Sequence, residues 1–147
     1  MIPLDEKQSI PCANPHAQYL SHAQAINEAI SSVLENGWYV LGSEVQSFET
    51  EFAEFNGVPH CIGVANGTDA LALALRACGV GPGDEVITVS HSAVATVAAI
   101  EQIGAVPVFC DIAPESRCLD PNLLPDLLTE RTRAIVVVHI YGHPADM

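Results

Sequence analysis

The sequence predicts an α/β protein in which a mainly parallel sheet lies between helices. Three observations lead there. From Cys61 onward, strand-length apolar runs alternate with helix-length stretches rich in Ala and Leu, the pattern of strand–helix units joined by right-handed crossovers. The run over 134–138 is apolar at every position, which suits a strand buried on both faces. Turn residues such as Gly79, Gly81, Pro82, Gly83 and Asp84 punctuate the units.

Taken in order, residues from Met1 to about Tyr19 read as extended, with prolines at Pro3, Pro11 and Pro15. A helix follows from Ser21. Ala23, Ile26, Ile30 and Val33 recur at helical spacing, and Asn36-Gly37 stops the run. Residues 38–42 form an apolar loop. Ser43 is the expected N-cap of a second helix, with Gln46 as its capping-box partner. Val45, Phe48, Phe52 and Phe55 are the expected buried stripe of that helix, and Asn56-Gly57 its end. Strands are then expected over 61–65, 85–89, 106–110 and 134–138. Helices are expected over 68–78, 93–103 and 121–128, the last N-capped by Asp120. The last strand runs into a loop with no helix after it, so the chain reads as truncated.

Composition narrows the function. A hydrophobic share of 49% is ample for a core, and mean hydropathy is +0.28. The net charge is −13, from 18 acidic and 5 basic residues. That balance lacks the basic footprint that nucleic acid or an anionic membrane surface requires. No apolar run approaches the roughly 20 residues that span a bilayer, and residues 1–12 carry acids without the apolar core of a secretory signal. The five cysteines, Cys12, Cys61, Cys78, Cys110 and Cys118, show no C-x-x-C spacing and read as free, buried thiols of a reducing cytoplasm. The six histidines show no metal-ligand pattern. Lys7 is the only lysine, in a polar N-terminal stretch.

The turn Asn66-Gly67-Thr68-Asp69 joins a strand to a helix. Backbone N–H groups at a helix N-terminus make an anion site, most often for phosphate. Gly67 permits close approach, Thr68 offers a hydroxyl and an N–H, and Asp69 complements the helix dipole. A capped turn with nothing bound fits the same residues. The turn is neither a Walker A loop nor a dinucleotide fingerprint, since neither Gly-Lys-Ser/Thr nor G-x-G-x-x-G is present. Ser90-His91-Ser92 and Asp111 each follow a strand, at the edge where open α/β sheets bind ligands. His91 is either a ring-stacking or hydrogen-bonding group or an exposed residue beside a Ser90 or Ser92 helix cap. Asp111 reads as a turn-capping acid before Pro114. Tyr141 and His143 also follow a strand. The apolar loop holding Trp38 and Tyr39 lines a site, meets another subunit or merely covers core.

The ordered motifs Gly37-Trp38-Tyr39-Val40-Leu41-Gly42, Val64-Ala65-Asn66-Gly67-Thr68-Asp69-Ala70-Leu71 and Gly81-Pro82-Gly83-Asp84-Glu85-Val86-Ile87 resemble the DegT/DnrJ/StrS family. Ala95-Thr96, Gly104-Ala105-Val106-Pro107-Val108-Phe109 and the run from His139 to Met147 extend the likeness, which covers the chain from about Ile10. The resemblance implies a pyridoxal 5'-phosphate (PLP) dependent aminotransferase acting on nucleotide-linked keto sugars. It implies the large domain of a fold-type I PLP-transferase, truncated, with 1–19 an extended N-terminal segment and 20–147 the N-terminal part of that domain.

By the same resemblance, Gly67 and Thr68 bind the cofactor phosphate, Ala93 stands where an aromatic residue usually covers the ring, and His91 is a candidate to cover it instead. Tyr39 is the implied substrate contact. The family often has Gln where His143 stands. Its Schiff-base lysine and the acid that pairs with the pyridine nitrogen come later than Met147 in the usual order. No catalytic residue is therefore assigned, and these 147 residues are expected to be inactive alone. Implied partners are a nucleotide-sugar substrate, an amino donor and, for the full-length protein, a second subunit. The other reading is a non-catalytic phosphate-binding, regulatory or assembly module of the same fold.

Overall fold

An asparagine and a proline start the first helix. In the computed structural model, which describes residues 12–147, α1 spans Pro15–Ser21. The Asn14 side chain accepts from the Ala17 N–H, and Pro15 occupies the first turn, where its missing N–H has no cost. Extended chain as far as Tyr19 is thus corrected: Asn14 and Pro15 begin a helix. The rest of that expectation, with Lys7, lies outside the described residues.

The described residues divide into two compact units, one ending at Gly63 and the other spanning Val64–Met147. In the first, α2 (Ala23–Asn36) ends at Gly37, whose φ of 68° only glycine adopts cheaply, and α3 (Ser43–Asn56) ends at Gly57 with φ 65°. The start of α3 differs from expectation. Gly42 is the N-cap, the Gln46 N–H bonds the Gly42 carbonyl at 3.2 Å, and no side chain caps the helix. A Cβ at position 42 would come within 2.8 Å of the Trp38 carbonyl oxygen, so the loop's tight return fixes the boundary one residue before Ser43.

The expected buried stripe of α3 is also corrected. Phe48, Phe52 and Phe55 are exposed, Phe55 at 86%, and Val45 is half-buried. Phe48 and Phe52 stack along their own helix instead, centroids 5.5 Å apart, and Phe55 lies tilted against Phe52 at 6.5 Å. The residue that α3 buries is Ala53, so its periodicity marks an apolar side without saying which positions on it are covered.

The second unit holds the sheet. β1 (Glu85–Val89), β2 (Val106–Cys110) and β3 (Thr132–Ile135) are all parallel, in the order β2-β1-β3. β1 is buried along its whole length. Val86 faces a layer formed by α4 (Gly67–Ala77) and α5 (Val94–Gln102), packed with Leu75, Ala99, Ile100 and Ile103. Ile87 and Val89 face the other way, onto Cys110, Leu119 and the short helix α6 (Leu124–Leu127). A 3-10 turn over Pro121–Leu123 precedes α6, and the Asp120 side chain accepts from the Asn122 N–H, as its capping role requires.

Two strands depart from expectation. Residues 61–65 join no ladder. Ile62 is 79% exposed, and the Gly63 N–H is taken by Glu49 Oε1 at 2.6 Å. A strand needs a neighbour, and among the described residues none pairs here. β3 starts two residues before the expected 134 and stops at Ile135. Val136 still donates to the Ile87 carbonyl at 2.8 Å, but its own carbonyl accepts from the Thr88 hydroxyl at 3.0 Å. That side-chain bond replaces the next rung.

The far end of β1 is pinned by charge. The buried Glu85 carboxylate pairs with Arg131 and accepts from Thr129 Oγ1 at 2.5 Å, while the Glu85 N–H bonds the Arg131 carbonyl at 2.8 Å. Thr129→Val removes a donor from a buried acceptor and is expected to cost about 1–3 kcal/mol, read by urea unfolding.

All five cysteines are free, but burial is confined to Cys110 and Cys118. Cys12 and Cys78 are exposed, and Cys61 is intermediate. Burial, then the Asp120 charge, pushes the Cys110 thiol above its ordinary pKa, with Asp111 adding to the effect against a hydrogen bond to the Asp120 backbone. A thiol reagent is therefore expected to modify Cys12 and Cys78 in the native protein and spare Cys110 and Cys118 until it unfolds. Peptide mass mapping reads the order. Since the fold favours the neutral Cys110 thiol, its contribution to stability holds below the thiol range and is lost as pH rises through the raised value.

Candidate functional site

The carboxyl-terminal edge of the sheet collects the residues of the second unit singled out above. α5 follows β1, so its N-terminus lies at that edge. α4 packs against α5 and leads through the 78–84 turn to the start of β1, which puts the α4 N-terminus at the same edge. The segment after β3 also emerges there. This is the edge where open parallel sheets bind ligands.

At the α4 N-terminus, Asn66 is extended (φ −164°, ψ 173°) and is the N-cap. Its Oδ1 accepts from the Asp69 N–H at 2.9 Å and its Nδ2 donates to Asp69 Oδ2 at 2.9 Å. The Ala70 N–H bonds the Asn66 carbonyl at 3.1 Å. These bonds use up the third and fourth donors of the helix. Among the described residues, the N–H groups of Gly67 and Thr68 have no partner. A Cβ built on Gly67 meets nothing within 4 Å, so the space beside the two free donors is open. Two converging N–H groups, a helix dipole and an adjacent hydroxyl suit a phosphate monoester.

Ala93 is the N-cap of α5, exposed and extended at φ −63°, ψ 139°. Neither Ser90 nor Ser92 caps this helix. Ser92 Oγ pairs with Thr96 Oγ1 at 3.0 Å instead, because a hydroxyl one residue before the cap reaches a side chain four positions on more readily than the free N–H groups. His91, half-buried, meets Tyr141. The two rings lie edge to face with centroids 5.9 Å apart, and the phenol oxygen is 3.5 Å from His91 Nε2. Asp111 closes a turn: its Oδ1 accepts from the Ile112 N–H at 2.8 Å and its carbonyl from the Asp120 N–H at 3.1 Å. His143 is exposed, and its carbonyl accepts from Cys118 Sγ at 3.5 Å.

Tyr39 belongs to the first unit. It is 63% exposed, and its hydroxyl donates to the Leu34 carbonyl at 3.2 Å. Among the described residues no group of three or more His, Cys, Asp or Glu is placed to hold a metal ion. No helix of the described residues is long and apolar enough to cross a membrane.

Residues 21–147 match the DegT/DnrJ/EryC1/StrS aminotransferase family. The chain belongs to this family. It is 47% identical over 130 residues to the dTDP-3-amino-3,4,6-trideoxy-alpha-D-glucose transaminase of Micromonospora megalomicea subsp. nigra, covering 88% of this chain and 35% of that protein. The crystal structure of S. venezuelae DesV superposes with a TM-score of 0.90 at 44% identity, over 93% of this chain and 37% of that one. NtdA from Bacillus subtilis, solved with bound cofactor PMP, superposes with a TM-score of 0.83 at 33% identity, over 86% of this chain and 29% of that one. The chain thus spans about a third of the length of its relatives. These DegT/DnrJ/EryC1/StrS neighbours are PLP-type aminotransferases, and the parallel sheet flanked by helices is part of their fold.

The His91–Tyr141 contact was not visible in the sequence. The two residues stand 50 positions apart, and no periodicity links them. The available signal was only that each follows a strand. The order β2-β1-β3, which places β1 beside β3, makes them neighbours.

Proposed function

We propose that the protein is a PLP-dependent aminotransferase that transfers an amino group to a nucleotide-linked keto sugar, and that residues 20–147 are the N-terminal part of its large domain. The observation that carries this reading is the α4 N-terminus. Its cap satisfies the Asp69 and Ala70 donors and leaves those of Gly67 and Thr68 without a partner among the described residues, while a Cβ on Gly67 would meet no atom within 4 Å. A turn serving only as a cap gains nothing from that openness, whereas a bound phosphate uses it.

In this reading Gly67 and Thr68 hold the cofactor phosphate through two N–H groups and a hydroxyl. His91 and the small Ala93 lie along the cofactor ring. Tyr39 is the substrate contact that the family likeness implies. Bound PLP supplies an electron sink for amino transfer. The dTDP-sugar transaminase relative supports a nucleotide-linked keto sugar as acceptor; an amino donor and a homodimer for the full-length protein are part of the same proposal. The −13 charge argues against nucleic acid as a partner. Free cysteines suit a cytoplasmic location.

Residues 12–147 contain no lysine, so they supply binding and no Schiff-base amine. That favours a second reading for these residues taken alone, a phosphate-binding module without chemistry. Titration with PLP followed by borohydride reduction and mass spectrometry tests both readings. Saturable binding without a covalent adduct on residues 12–147 is expected, and so is an absence of transamination. Failure of the protein to bind PLP or inorganic phosphate would overturn the cofactor reading. Turnover by these 147 residues would overturn the predicted inactivity.

A further inference from the structure

The geometry points to Tyr141 as the positioning residue that orients His91 at the cofactor ring. This rests on the cofactor reading above and adds a residue to it.

Three observations converge on Tyr141. First, it is a non-glycine residue in left-handed conformation, φ 55° and ψ 22°, inside the 3-10 turn Ile140–Gly142. Such a conformation is unfavourable for a residue with a Cβ and persists only where the surroundings impose it. Second, the surroundings do impose it. The Ala145 N–H donates to His139 Nδ1 at 2.9 Å, Cys118 Sγ donates to the His143 carbonyl at 3.5 Å, and Ala145 is buried. The loop is clamped on both sides of Tyr141. Third, the strained residue is not buried for packing. Its side chain is 80% exposed, and its defined contact is with His91.

The 3.5 Å contact fits either direction; the proposed role takes the phenol O–H as donor, which makes Nε2 the acceptor and puts the ring proton on Nδ1. Tyr141 thereby fixes both the plane and the tautomer of His91. Ala93, beside it at the α5 N-cap, is too small to cover a ring or to steer the imidazole. At 3.5 Å the contact is at the long end of the hydrogen-bond range, and a ring arriving beside it has room to tighten it.

The test uses the 147-residue chain and Tyr141→Phe, which keeps the aromatic ring and removes the hydroxyl. Imidazole 15N–1H correlation spectra at about pH 8.5, where His is neutral, read the tautomer. Wild type is expected to hold His91 as the Nδ1–H form, and Tyr141→Phe to move it towards Nε2–H. A merely structural role would leave the tautomer unchanged. In parallel, PLP affinity is expected to fall about threefold to tenfold, the worth of one hydrogen bond, while inorganic phosphate affinity stays the same. An unchanged tautomer, or unchanged PLP affinity, overturns the role of Tyr141. A wild-type chain that binds neither PLP nor phosphate overturns the cofactor reading itself, and that arm is read before any variant is compared.

Discussion

Ile87→Ala is expected to destabilise the protein by about 2–5 kcal/mol, the range for emptying a large side chain from a packed core. Ile87 is fully buried in the central strand, against Val89, Cys110 and Leu119 on the side away from α4 and α5. Both neighbouring strands hydrogen-bond to β1, so the surroundings cannot close over the gap without disturbing two ladders. Domains are stable by only about 5–15 kcal/mol, and the loss is a large part of that. Urea unfolding followed by circular dichroism measures it. Phe55→Ala is the control. Phe55 is 86% exposed, and its removal is expected to stay within about 0.5 kcal/mol. Equal losses at both positions would mean that the burial pattern is wrong.

Thr68→Val is expected to weaken phosphate binding about tenfold to a hundredfold, the worth of a hydrogen bond to a charged group, without a measurable change in stability. The Thr68 hydroxyl has no partner among the described residues, so the fold does not depend on it. Gly67→Ala is expected to act likewise. The new Cβ has open space in the protein but occupies the volume beside the free donors. Asn66→Ala should do the reverse, costing about 1 kcal/mol of stability through the lost cap. Calorimetric titration with inorganic phosphate and with PLP, beside thermal melts, separates the two effects. Undiminished affinity in both Thr68→Val and Gly67→Ala would show that the anion binds elsewhere.

Much of this was legible in the sequence because it depends on neighbours along the chain. Asn36-Gly37 and Asn56-Gly57 stop helices through left-handed glycines, and Asp120 caps the turn before α6 through its own side chain. β1 and β2 appear with the expected bounds because each is a short, β-branched-rich segment between turn residues. The capped turn before α4 was legible for the same reason. Asn66, Gly67, Thr68 and Asp69 make their cap within four residues, and the motifs around them resemble one family.

What local pattern could not supply was partners. Residues 61–65 have the composition of a strand, but a ladder requires a second strand. Phe48, Phe52 and Phe55 have the spacing of a buried stripe, but burial requires a surface to pack on. The end of β3 is set by a hydroxyl 48 residues earlier in the chain, Thr88 on the Val136 carbonyl. The meeting of His91 with Tyr141 depends on which strands are adjacent in the sheet. The sequence by itself determined the helix stops, the bounds of β1 and β2, the family and the capped turn at Asn66–Asp69, since these follow from short-range hydrogen bonding and local pattern. Only the tertiary structure decided which donors of that turn remain free and which aromatic residue stands against His91, because both depend on contacts between segments far apart in the chain.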